Sequence, residues 1–81
     1  MAKVILTAPF STEFFGGKTE LDVAAGNLFA LVRALDGLAP GFAEAAETRA
    51  GVAVDGAVVS NWATALTPHS EVLFVLRIAG G

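Results

Sequence analysis

The sequence predicts an α+β fold, a mixed sheet of about four to five strands with one main helix packed on one face. Three observations predict it. Short runs with strand character lie on both sides of a single stretch with a clear helical period. The first and last of those runs are the most apolar, as neighbouring central strands would be. The chain has 81 residues, which hold one hydrophobic core and one domain, spanning residues 1–81.

Lys3 to Thr7 is short, β-branched and apolar on both parities, as a central strand covered on both faces would be, and Pro9 ends it. The pair Gly16-Gly17 after Phe14-Phe15 marks a tight turn. Lys18 to Val23 then alternates, with Thr19, Leu21 and Val23 on one parity and Lys18, Glu20 and Asp22 on the other. This is a half-buried strand, expected to form a hairpin with the first. Asn27 is a good helix N-cap, and Leu28, Leu31, Val32 and Leu35 follow at i, i+3, i+4 and i+7. Gly37 is expected at the left-handed position past the helix end, and Pro40 prevents continuation. A shorter helix is predicted from Gly41 to Arg49, with Phe42, Ala45, Ala46 and Arg49 on one stripe and Gly51 closing it. Val52-Ala53-Val54 reads as a strand, Asp55-Gly56 as a turn and Val58-Val59 as the return strand. Ser60 to His69 is irregular. Glu71 to Ile78 is the strongest strand, with Val72, Phe74, Leu76 and Ile78 on one face and Leu73, Val75 and Arg77 on the other. That second face, with Ile5 beside Leu73 and Val75, must be wet or covered by a partner.

Composition excludes several function classes. Without cysteine there is no disulfide framework, thiolate zinc site or iron–sulfur cluster. Five basic residues against eight acidic ones give a net charge of −3 and supply no patch for nucleic acid. No apolar stretch approaches the ~20 residues of a membrane span. The N-terminus lacks the apolar core and cleavage site of a signal peptide, so a cytoplasmic protein is expected. Hydrophobic residues make up 54% of the chain, enough to exclude disorder and to leave apolar surface exposed on so small a body. Alanine accounts for part of that excess, and a docking surface is the alternative reading.

The usual catalytic sets are missing, and an independent enzyme is not expected. A Cys–His pair is impossible, and Ser11, Ser60 and Ser70 share one His with no third group to orient it. His69 reads as a solvated loop residue rather than a metal ligand, since no second His exists. Glu44 and Glu47 read as a wet helix face. Gly16-Gly17 lacks the Lys and the spacing of a phosphate loop. Trp62 reads as a loop anchor on the sheet or as part of an interface. No bound cofactor and no metal site are expected.

The informative feature is the end of the sequence. A strand running into Ala79-Gly80-Gly81 gives a thin tail without side chains, able to thread a narrow channel in another protein. Ordinary terminal fraying is the plainer reading. With this tail, Val52-Ala53-Val54-Asp55-Gly56 and the Leu66 to Val72 turn, the whole chain resembles the ubiquitin-like sulfur carriers. These are the β-grasp family of the molybdopterin synthase small subunit and the thiamin-pathway sulfur carrier. The turn keeps Leu66, Glu71 and Val72 of the family's Leu-x-x-Gly-Asp-Glu-Val, with His69-Ser70 in place of Gly-Asp. The Pro-Pro that often precedes the tail in molybdopterin carriers is absent, and Val75-Leu76-Arg77 is closer to the tail of ubiquitin. Length favours the molybdopterin branch.

The resemblance implies a carrier, not a catalyst. An E1-like activating (adenylating) enzyme would use ATP to join the Gly81 carboxylate to AMP, and a sulfur donor would displace AMP to leave a thiocarboxylate. An acceptor enzyme, such as the molybdopterin synthase large subunit, would take the sulfur. Gly81 would react, Gly80 would permit close approach, and Ala79 and Ile78 would begin the tail. Leu73, Val75 and Ile5 are the expected docking patch. Thiamin or another sulfur-requiring pathway, a ubiquitin-like protein modifier and a non-covalent interaction module are the alternatives.

Overall fold

The computed structural model describes residues 1–77. Strand β1 (Ala2–Leu6) buries Ala2, Val4 and Leu6. Helix α1 (Phe10–Phe14) follows, then β2 (Glu20–Val23), which runs antiparallel to β1 with Leu21 opposite Val4 and Glu20 opposite Ile5. Helices α2 (Leu28–Leu38) and α3 (Phe42–Arg49) come next, followed by β3 (Ala50–Val54), β4 (Ala57–Val59) and β5 (Glu71–Leu76). The five strands make one mixed sheet in the order β2-β1-β5-β3-β4. β1 and β5 are central and parallel, with Val4 beside Val72 and Leu6 beside Phe74. The expectation drawn from their apolar character therefore holds.

Four local expectations are corrected. The Gly16-Gly17 turn does not join two strands directly, because α1 intervenes. It spans too few residues to show a period. Its glycines, at φ 62° and 91°, terminate it in left-handed backbone, and the Gly17 N–H donates to the Ser11 carbonyl at 2.8 Å. Gly37 lies inside α2 rather than past its end. The helix stops at Ala39 because a residue before proline is pushed out of helical backbone, and Ala39 has φ −140° and ψ 89°. Gly51 does not close α3; it sits within β3 opposite Val75. The chain passes from helix to strand at Ala50 without any glycine cap. Finally, the first strand is not covered on both faces, since all three helices lie on one side and Ile5 on the other is only half-buried.

The N-cap reading of Asn27 is correct, its Oδ1 accepting the Ala30 N–H at 2.8 Å. The α3 N-terminus is capped from a distance: Asp36 of α2 accepts the Gly41 and Ala43 N–H groups at 3.1 and 3.0 Å. Asp55 and Gly56, at φ 50° and 84°, make the hairpin turn whose twist suits β3 and β4. In the Leu66 to Val72 turn, Ser70 is buried and its Oγ accepts the Thr67 N–H at 2.9 Å, the task an Asp performs in such a turn. His69 has no positive φ, so the turn does not require glycine there.

The core lies between the sheet and the helices. Phe42 of α3 is its hub, with Phe10, Phe14, Phe15 and Phe74 all edge-on to it at centroid distances of 5.3 to 6.5 Å. The Arg49 guanidinium lies 5.6 Å from the Phe10 ring centre and pairs with Glu13 at 3.0 Å, tying α1 to α3.

Candidate docking face and tail root

The sheet face opposite the helices is set by strand parity. In β5 the buried Val72 and Phe74 force Leu73 and Val75 to the other side. The parallel register places Ile5 beside Leu73, and Val75 stands one pleat further along. The structure thus brings together the three residues expected as a patch. It adds residues the sequence reading missed. Ala53 is paired with Leu73, and Val58 is paired in turn with Ala53 and is 86% exposed. Their membership follows from carrying the Leu73 parity across the Asp55-Gly56 hairpin. Gly51 lies under Val75, whose Cγ2 would stand 3.4 Å from an added Cβ, so the patch is flattest there.

The patch has an acidic border. Asp22 is paired with Lys3 and Glu20 with Ile5 in the β1–β2 register, and Glu71 is paired with Lys3 on the other side. Lys3 bonds Glu20 at 3.2 Å. That hydrogen bond first, then the charges of Glu20, Glu71 and Asp22, hold its ammonium above the ordinary lysine range. Three carboxylates against one lysine leave this border negative.

At the far end of β5, Arg77 carries two bonds to the end of α3. Its N–H donates to the Arg49 carbonyl at 2.7 Å and its Nη2 to the Thr48 carbonyl at 2.8 Å. The predicted tail residues Ile78, Ala79, Gly80 and Gly81 lie outside the described residues. Arg77 also borders a groove of about 640 Å³ walled by Phe29, Ala46, Val52, Val59 and Trp62. Trp62 is half-buried and packs on the core, as an anchor does. His69 is exposed. Among the described residues no three His, Asp or Glu side chains converge on a possible metal position, and no helix is long and apolar enough to cross a membrane.

No family model matches the chain, and no curated protein matches it in sequence. Solved structures do match its fold. CysO of Mycobacterium tuberculosis, described as an antigen, superposes with a TM-score of 0.85 at 16% identity, covering 96% of this chain and 100% of CysO. The fold is the ubiquitin-like β-grasp. The Amycolatopsis orientalis BexX/CysO complex matches over 100% of both chains, with a TM-score of 0.83 at 13% identity. A subunit 1 and 2 complex of the molybdopterin-converting factor from Helicobacter pylori matches with a TM-score of 0.69 at 19% identity, over 99% of this chain and 97% of that one. Two of these three β-grasp structures are complexes with a partner protein.

Proposed function

We propose that this β-grasp protein is a sulfur carrier whose Gly81 carboxylate is activated and converted to a thiocarboxylate. The observation that carries the reading is the end-to-end β-grasp match combined with Gly80-Gly81. In the sequence that pair comes three residues after a central strand that ends at Leu76 and whose neighbouring face is bare and apolar. An activating enzyme docks on Ile5, Leu73 and Val75 and receives the tail. The Gly81 carboxylate oxygen attacks the α-phosphorus of ATP, pyrophosphate leaves, and an acyl-adenylate forms. A sulfide-level donor then attacks the carbonyl carbon and AMP departs with the bonding pair, leaving the thiocarboxylate. Glycine at the last two positions lets the nucleotide approach without a Cβ in the way. The carrier supplies no acid or base to this chemistry, and ATP belongs to the activating partner.

The acceptor is a second partner. The molybdopterin-converting factor supports a molybdopterin synthase large subunit in that role, whereas the higher structural similarity to CysO favours another sulfur-requiring pathway. The intact mass after co-expression with a candidate activating enzyme and a sulfur donor tests the reading. Replacement of one oxygen by sulfur, abolished by deletion of Gly81, is the expected result. An unchanged mass and no ATP consumption across several activating enzymes would leave a non-covalent interaction module; isopeptide adducts through Gly81 would make it a protein modifier.

A further inference from the structure

We infer that Arg77 is the positioning residue that roots the tail, and that its seat on the end of α3 governs how often Gly81 reaches the activating site. The inference rests on the carrier reading above.

Arg77 grips two consecutive carbonyls, those of Thr48 and Arg49, with one side-chain and one backbone donor. They belong to the last two residues of α3, where carbonyls lack intrahelical partners and the helix end favours a cation. The backbone bond also carries the β3–β5 pairing one step past Ala50 and Leu76. Arg77 is exposed and lies beyond Phe74, the last buried core residue described. Its seat therefore secures little of the core. What lies beyond it is the tail.

Gly81 stands four residues past Arg77, a full reach of about 13–14 Å. If the root slipped back to Val75, the full reach set by the residue count would grow to about 20 Å and the volume within that reach roughly threefold, diluting Gly81 at its target by up to the same factor. Loss of a fixed exit direction adds to that dilution. The sheet face still docks, so the effect falls on turnover within the complex rather than on complex formation.

The test uses the full chain with R77Q and R77K. Amide exchange is measured at residue 77, with Val72 and Phe74 as internal references. Adenylation is followed by pyrophosphate release with an activating enzyme that accepts the wild type. For R77Q the expected result is lost protection at residue 77 alone, kcat lower by about three- to tenfold and KM for the carrier within about twofold. R77K, which keeps a cation for the Thr48 carbonyl, recovers part of the loss. A raised KM with unchanged kcat would overturn the inference in favour of direct contact between Arg77 and the partner. Unchanged kinetics and protection would remove any role, and lost protection at Val72 and Phe74 would make the residue merely structural. If no activating enzyme accepts the wild type, the carrier reading fails and the positioning role falls with it. The exchange result then still reports whether Arg77 is seated, which keeps the two failures apart.

Discussion

Phe42 shows how much of this small core depends on single side chains. It is fully buried and touches aromatic rings from α1, from the segment after α1 and from β5. Phe42→Ala should cost about 3–5 kcal/mol, read as a lowered urea midpoint. Chain position made Phe42 legible as a core residue, but the ring cluster was not, because its members are separated by most of the sequence. The Glu13–Arg49 pair is a second residue-scale feature that no local pattern announces. Arg49's hydrogen bond first, and then its charge against partial desolvation, hold the Glu13 carboxyl below its ordinary value of 4.5. A carboxyl depressed in the folded state stabilises above its unfolded value, and that contribution is lost as pH falls through the lower folded value. The Tm difference between wild type and E13Q should thus be level from neutral pH down to about 5.5 and shrink below about 4.5. Both partners are well exposed, so the difference should be small and should shrink further in high salt.

At the scale of elements, the sequence was most legible where a period was long enough to read. The spacing of Leu28, Leu31, Val32 and Leu35 located α2 and its buried face, and the alternation in β5 separated Val72 and Phe74 from Leu73 and Val75. It was least legible at element ends, where tertiary partners decide. Gly37 stays helical because Pro40 supplies the stop, and α3 takes its cap from Asp36 on a neighbouring helix rather than from its own first residues. Asp36→Ala should therefore destabilise the protein by about 0.5–2 kcal/mol, with a lower thermal midpoint and an unchanged sheet signal. The docking face tests differently. Val75 is 37% exposed and lies on the bare side of the sheet, so Val75→Glu should leave the fold intact while placing a charge within the apolar patch. An about tenfold rise in KM for the carrier at the activating enzyme, equivalent to about 1.4 kcal/mol, is expected with little change in Tm. Equal KM values for the two proteins would place docking on another surface, the groove beside Trp62 being the next to test.

For the whole molecule, the parallel pairing of β1 with β5 closes the fold by joining its two ends. Thr7 donates through Oγ1 to the Phe74 carbonyl at 2.9 Å across 67 positions, and Lys3 N–H donates to the Ser70 carbonyl at 2.9 Å. Such a fold is complete only once the last strand is in place, since β5 pairs with both β1 and β3 and supplies Val72 and Phe74 to the core. The sequence made this arrangement legible through the two most apolar runs, while the side of the sheet left bare became definite only with the register. A division of labour along the last ten residues follows. Up to Phe74 the chain builds the core and Arg77 is bonded to the end of α3, and in the proposed carrier reading the residues after it serve the chemistry. Deletion of 78–81 should leave Tm within about 4 °C of the wild type, as for a surface change of under about 0.5 kcal/mol, while abolishing adenylation. Deletion of 74–81 should abolish the cooperative thermal transition, because it removes a buried aromatic and three of the five β3–β5 residue pairs. A large Tm loss on removing 78–81 alone would mean that the tail packs on the domain, and the simple separation of core from reactive end would be wrong.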